Sequence, residues 1–372
     1  MQAPDKSEML DGIRRWVEIE SHTADIAGVS HMMDTCAEGW RQAGAMVERI
    51  AGRDGYGDHL VVSSAWGSAD PGILVLCHLD TVHPRGTIKD LPFRVDGDRV
   101  FGPGIYDMKG GAYLAFAAYQ AIARAGRKTP LPLRFIYSAD EEVGSPTSRA
   151  LIEAHARNAK YVLVTEPARD GGKIVTSRKG VGRFVLTANG RPAHSGAKHE
   201  AGRSAILEVA HHVVDIEAMT DYARGVTFNV GQISGGTADN VVPALCTATI
   251  DMRVKSFADA EHFEQMFRKL KPYNPDVTVQ VTGGLNRPPY EMSPAGAKLF
   301  AHAREQASAL GIDLVGMATG GGSDGNFTAH FVPTIDGLGV DGDGAHTMHE
   351  HMLLSSLEPR MNLQRRLFET LT

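Results

Sequence analysis

Short islands of acid and histidine stand far apart in this chain, each at the end of an apolar run or in a Gly-rich loop. They are His78 and Asp80 in HLDTV, Asp107 in GPGIYDMKGG, Glu141 and Glu142 in SADEEVGS, Glu166 in VTEP, and His346 in GAHTMHE. Two divalent cations held ~3.5–4 Å apart need a carboxylate between them, and each then takes further imidazole or carboxylate ligands. His78, Asp107, Glu142, Glu166 and His346 meet that count, with Asp107 as the bridge. Three carboxylates against two dications leave the site positive, so a bridging water would lose its proton near neutral pH and an attacked carbonyl oxygen would be polarised. The chemistry implied is amide hydrolysis.

The elements around these residues must bring them to one place. Ile73 to Cys77 is a continuous apolar stretch, Leu133 to Tyr137 is another apart from Arg134, and Tyr161 to Val164 is a third. Such runs, bounded by turn residues, predict buried parallel strands. Each leads into acids or histidine, and in an open α/β sheet ligands gather beyond the carboxyl ends of the strands. The i, i+2 spacing of His78 and Asp80 puts both on one side of an extended segment, where Asp80 could orient the imidazole. Taken singly, a strand-end Asp is a turn or cap, Glu141-Glu142 is a solvated helix start, and His346 belongs to a surface loop with His349 and His351. Unrelated acids do not all follow buried apolar runs, so the conjunction decides against those readings.

Composition narrows the partners. With 372 residues and 42% hydrophobic content the chain can build two domains with sizeable cores. A net charge of −6, with no basic block, argues against nucleic acid. No apolar run is long enough to span a membrane. Cys36, Cys77 and Cys246 lack CxxC spacing and are expected as free, buried thiols of a reducing compartment. The first residues, MQAPDKSEMLDGIRRWVEIES, predict an amphipathic helix without a signal-peptide core, so the expected location is the cytoplasm.

Strand-helix alternation pauses near Gly180 and resumes near Tyr290. Between them, strands are predicted at Val181–Ala188, Val226–Ile233, Val241–Val254 and Val277–Val281, and helices at Ala201–Met219 and Asp259–Leu270. That β-α-β-β-α-β order suggests a ferredoxin-like α+β insertion. The domains expected are residues 1–179 and 291–372 as a split catalytic α/β domain and 180–290 as the insert. A last helix is predicted to open at Ser355 and Glu358 in capping-box spacing, with Leu357, Met361 and Leu367 on its apolar face. The glycines of TGGGSD have no Lys in phosphate-loop spacing, so they read better as a loop where substrate approaches backbone, with Thr319 and Gly322 as contacts. Asp251 and Arg253 alternate along a strand and are expected to form a structural pair.

The stretches HLDTV, PFRVDGDRVFGPGIYDMKGG, SADEEVGSPTSR, YVLVTEP, RPAHSG, NVVPA, TGGGSD and GAHTMHE resemble, in order, the di-zinc aminoacylase, succinyl-diaminopimelate desuccinylase and glutamate carboxypeptidase family of metallopeptidases. Within it they are most similar to the bacterial folate-cleaving glutamate carboxypeptidases. The resemblance implies a zinc-exopeptidase-type mixed sheet flanked by helices, with the inserted domain as a dimerisation lid and the chain as a homodimer. It implies two zinc ions per chain, cobalt or manganese being alternatives. Asp107 would bridge them, His78 and Glu166 would hold one, and Glu142 and His346 the other. Glu141 resembles the general base, taking a proton from the bridging water and returning it to the leaving amine. The bond after Asp107, here to Met108, would be cis. His194 in RPAHSG and Asn240 in DNVVP resemble residues that donate to the oxyanion of a neighbouring subunit's site, and Arg287 in LNRPPYE the arginine that pairs with a substrate carboxylate. The activity implied is removal of a C-terminal, Glu- or Asp-like residue from a peptide or N-acyl conjugate. Aminopeptidase, desuccinylase or aminoacylase specificity and a non-catalytic metal-binding relative are the alternatives, and retention of Glu141 beside Glu142 speaks against the last.

Overall fold

The computed structural model describes residues 3–66 and 71–372. Met1 and Gln2, at the start of the segment predicted as the first helix, lie outside them; the helix itself is Lys6–Val17, capped by Asp5, whose carboxylate accepts the Glu8 amide. The chain divides into two compact units, one of Met1–Ser177, Glu291–Thr319 and Ser323–Thr372, the other of Arg178–Tyr290 and Gly320–Gly322.

In the first unit the apolar runs form the middle of a mixed sheet. Its strands are β1 (Met46–Ile50), β2 (His59–Ser63), β3 (Gly72–His78), β4 (Leu133–Ser138) and β5 (Ala159–Val164), with the short strand Thr334–Ile335 at the far edge. The spatial order is β1, β2, β4, β3, β5, then Thr334–Ile335. β3, β4, β5 and Thr334–Ile335 run parallel, whereas β1 and β2 are antiparallel to their neighbours. Side-chain alternation sorts β3 between two cores. Ile73, Val75 and Cys77 join the aromatic cluster under the helices Lys6–Val17, Ile26–Gln42, Gly110–Arg124 and Leu357–Thr370, while Leu74 and Leu76 pack with Ile152 and Phe327 on the opposite face. Each such side chain, fully buried, contributes roughly 1.5–3 kcal/mol. In the first core Trp40 lies against Phe116, Tyr119 and Phe135, and its indole N–H donates to the Tyr137 hydroxyl.

The second unit is a four-stranded antiparallel sheet with two helices. β6 (Gly180–Asn189), β7 (Thr227–Gly235), β8 (Leu245–Val254) and β9 (Thr278–Arg287) lie in the order β7, β8, β6, β9, which is the ferredoxin-like arrangement. Its helices are Ala205–Ala218 and Phe257–Arg268. The first begins later than the sequence predicts because Ser204 caps it, accepting the Leu207 amide. β8 also starts later, at Leu245, since Pro243 has no N–H to give a ladder. Arg253 and Asp251 form the expected pair, at 2.6 Å.

The predicted capping box is not formed. Ser355 N and Oγ both bond the Asp98 carboxylate, and the last helix starts at Leu357, out of a 3₁₀ turn, without a side-chain cap. Asp98 offers both Ser355 groups an ionised acceptor, and the capping geometry loses. All three cysteines are buried and free. No helix among the described residues is long and apolar enough to cross a membrane.

Candidate metal centre

Because β3, β4 and β5 are parallel and in register, His78 lies beside Ser138, and Leu76 beside Val164. His78, Glu141, Glu142 and Glu166 therefore emerge at one edge of the sheet. Asp107 arrives from a different kind of element, the irregular turn Ile105–Lys109, where its φ/ψ of −116°/94° is non-helical and its bond to Met108 is cis. The Met108 sulfur accepts the His78 amide. His346 comes on a turn after Gly344 and itself has φ 65°, a left-handed conformation seldom adopted outside Gly.

The two oxygens of Asp107 face two histidines. Oδ1 lies 3.3 Å from His78 Nε2, and Oδ2 lies 3.5 Å from His346 Nε2. His78 Nε2 is in turn 3.7 Å from Glu166 Oε1, and His346 Nε2 is 3.2 Å from Glu142 Oε2. Two triads result, His78-Asp107-Glu166 and Asp107-Glu142-His346, each with its donor atoms within 4.8 Å of one another. Ligands ~2.0–2.1 Å from a tetrahedral ion lie about 3.4 Å from each other, so the spacings suit a small dication in each triad. Glu142 Oε1 is buried and has no hydrogen-bond partner among the described residues, as suits an atom reserved for a cation.

Without a cation the cluster retains protons. Burial opposes a charge on His78, yet Asp107 and Asp80, with the nearby Glu141 and Glu166, hold it well above the ordinary histidine range. Hydrogen bonds to Asp107 and Glu142 push His346 up to about 11, and burial pushes Glu142 up to about 8. Asp107 goes the other way: burial is outweighed by His346 and His78, which keep it ionised far below the usual carboxylate range.

Asp80 plays a broader part than its spacing predicts. His78 Nδ1 is 3.0 Å from the Asp80 backbone carbonyl and 3.5 Å from its carboxylate, so the carbonyl is the nearer partner of the imidazole. The carboxylate instead accepts the amides of Glu141 and Glu142 and the Thr23 hydroxyl. Glu141, partly exposed at the head of the 3₁₀ turn Glu141–Val143, belongs to neither triad, and its charge reaches both His78 and Glu142.

Supporting residues that the sequence reading did not single out surround this centre. Glu350 accepts backbone amides from Gly104, Tyr106 and Asp107 and pairs with His83. Asp140 accepts from the backbone and hydroxyls of Thr147 and Ser148, closing the loop behind Glu142. Lys109 is buried, donates to the Ile19 carbonyl, and is lowered to about 7 by burial. Only their place inside or directly after the motifs could have drawn attention to Lys109, Glu350 and His83.

Thr319 ends the strand Gly316–Thr319 of the first unit. In the second unit Arg287 is buried at the end of β9, just past a bulge, and a Cβ on Gly322 would lie 2.6 Å from Arg287 Cδ, so the glycine makes room for the arginine stem. Arg178, also buried, donates to the carbonyls of Gly321 and Gly322. His194 and Asn240 are neighbours: His194 bridges to Val241, and the Ser195 amide donates to the Asn240 carbonyl. His194 is exposed, and its Nδ1 accepts the amides of Gly196 and Ala197, which leaves the hydrogen of the neutral ring on Nε2.

Known proteins resemble this chain in sequence and in fold. The chain is similar to carboxypeptidase G2 of Pseudomonas sp. (strain RS-16), 29% identical over 373 residues that cover 96% of this chain and 88% of the relative. It is also similar to succinyl-diaminopimelate desuccinylase of Verminephrobacter eiseniae, 26% identical, covering 79% of this chain and 77% of that one. Among solved structures, an M20 family metallo-carboxypeptidase from Sulfolobus solfataricus shares the fold with a TM-score of 0.76 at 15% identity, covering 97% of this chain and 98% of that one. An aminopeptidase, PepT, from Bacillus cereus does so with 0.75 at 22%, covering 98% of each. The model of peptidase family M20/M25/M40 matches residues 74–370, a span that takes in every residue of both triads, and the chain belongs to that family of hydrolases.

Proposed function

We propose that the chain is a dinuclear zinc carboxypeptidase that releases a C-terminal, Glu- or Asp-like residue from a small peptide or N-acyl amino acid. The observation that carries this reading is the shared aspartate: each carboxylate oxygen of Asp107 faces the histidine of a different triad. His78, Asp107 and Glu166 would hold one ion and Asp107, Glu142 and His346 the other. When bound, the ions supply Lewis acidity to the scissile carbonyl and acidify water. Glu141 does the proton work. Its carboxylate takes a proton from the attacking water as the new C–O bond forms, and passes it to the amine nitrogen as the C–N bond breaks. Asp80 holds the Glu141 backbone in place for both transfers.

Substrate contacts complete the proposal. Arg287 pairs its planar guanidinium with the free α-carboxylate of the leaving residue, and Thr319 and Gly322 line the approach. His194, with Nε2–H free to donate, and Asn240 stabilise the oxyanion of a partner subunit. A homodimer through the second unit is supported by its exposed apolar side chains, among them Leu207 and Val214 on one helix and Ile233 on the edge strand β7.

The test is release of free amine from N-acyl amino acids and dipeptides by the zinc-loaded protein, run beside Glu141→Gln. The reading expects activity on substrates ending in Glu or Asp, and a variant that retains its metal while turnover falls by more than the ~10²–10⁴ of a typical acid-base group. Turnover within about tenfold of wild type would remove Glu141 from the role of base. Equal activity on C-terminally amidated substrates would point to an aminopeptidase, and preference for a succinyl group to a desuccinylase.

A further inference from the structure

The acid four residues beyond His346 is among the most hydrogen-bonded side chains near the centre, though it lies outside both triads. Glu350 is 1% exposed. Its Oε1 accepts the Tyr106 amide at 2.9 Å and the Asp107 amide at 3.0 Å; its Oε2 accepts the Gly104 amide at 3.1 Å and meets His83 Nε2. These amides belong to a turn that could not satisfy them itself, because Gly104 is left-handed (φ 69°) and Asp107 is non-helical. An ionised carboxylate accepting several N–H groups makes bonds roughly twice as strong as neutral ones.

The connectivity gives this hub a consequence beyond satisfying the turn. One end of Glu350 is tied to the backbone of Asp107, the shared residue. The other end runs through Thr347–His349 to His346, which is 52% exposed, left-handed and on an open turn. The turn is otherwise held by the pairing of Gly342 and Asp343 with His351 and Met352, by the Thr347 hydroxyl donating to the Gly344 carbonyl, and by Ala345 against the core. His78, by contrast, ends the buried strand β3 and owes its position to the sheet.

We propose that Glu350, with His83, is a positioning residue that sets His346 against Asp107 and so fixes the affinity of the Asp107-Glu142-His346 position selectively, leaving the His78 position largely to the sheet. The proposal rests on the dinuclear reading above. Glu350→Gln keeps the shape and one carbonyl acceptor but turns an NH₂ group toward amide donors. It should weaken the His346 position by about 10–100-fold, the usual effect of changing a residue that orients a ligand, and leave the His78 position within about threefold of wild type.

The experiment titrates cobalt(II) into metal-free wild type and variant, following d–d absorption and stoichiometry. Wild type should fill in two steps and Glu350→Gln should show only the weaker step displaced. Excess cobalt should restore kcat with KM unchanged. Two steps as in wild type, or both steps weakened equally as a general loosening of the fold would do, would overturn the proposal. If Glu350→Gln does not fold, as circular dichroism of the metal-free protein would reveal, His83→Phe removes one donor and leaves the three amide bonds. It should displace the same step in the same direction, and an undisturbed second step would overturn the proposal equally. A single step in wild type would overturn the dinuclear reading and this proposal with it.

Discussion

Asp80 Oδ1 accepts the backbone N–H of Glu141 at 3.2 Å, so the residue proposed as base is held by an acid two residues beyond a candidate metal ligand. The same carboxylate takes the Glu142 amide at 3.2 Å and the Thr23 hydroxyl at 2.7 Å, and the Asp80 carbonyl lies 3.0 Å from His78 Nδ1. One residue thus contacts the proposed base and a candidate ligand in each triad. Asp80→Ala is expected to lower kcat by about 10–100-fold or more, the range for residues that orient a metal site. Thr23→Val removes one donor and should cost at most a few-fold. Steady-state kinetics with parallel metal analysis checks both, and an Asp80→Ala enzyme with wild-type kcat would show that the clamp is dispensable.

Proton release follows from the charge balance of the metal-free cluster. His78 and His346 are held above their ordinary range by the carboxylates beside them, so at pH 7 both imidazoles favour the protonated form. A dication needs neutral imidazole and ionised carboxylate, so binding must expel protons. The sign is then fixed: metal affinity falls as pH is lowered, by about tenfold per pH unit for each proton released. Zinc binding at pH 7 in buffers of different ionisation enthalpy should report at least two protons per chain. Uptake with no release would contradict the protonation pattern.

How much of this was legible in the sequence depends on the distance over which each residue's partner lies. His78, Glu141, Glu142 and Glu166 could be read because each follows an apolar run, and parallel strands deliver their ends to one edge. The β-α-β-β-α-β order likewise carried the ferredoxin-like sheet, since alternation along each strand is a local signal. His83 and Glu350 stand 267 residues apart, and no periodicity joins them. Ser355 failed as a cap for a related reason: the competing acceptor, Asp98, lies 257 residues earlier. The buried state of Arg287 was equally hidden, because it depends on the missing side chain of Gly322.

Specificity should respond to that packing. If Arg287 pairs with the α-carboxylate of the leaving residue, Arg287→Lys replaces a bidentate fork by a point charge. Loss of charge-assisted hydrogen bonds of roughly 1.5–3 kcal/mol corresponds to a fall in kcat/KM of about 10–150-fold. Gly322→Ala should act in the same direction by displacing the arginine stem, since its Cβ would lie 2.6 Å from Cδ. Kinetics on paired free-acid and amidated substrates reads the effect; a loss equal for both would remove the carboxylate from the account.

Assembly can be tested by complementation. If His194 acts across a dimer of second units, His194→Ala and Glu141→Ala homodimers should each be nearly inactive, because every site lacks either its oxyanion donor or its base. Co-refolding equal amounts makes half the dimers mixed, and each mixed dimer contains one site with Glu141 from its own chain and His194 from the partner. About a quarter of wild-type activity should therefore return. Subunit exchange without recovery would place the action of His194 within its own chain, or outside the reaction.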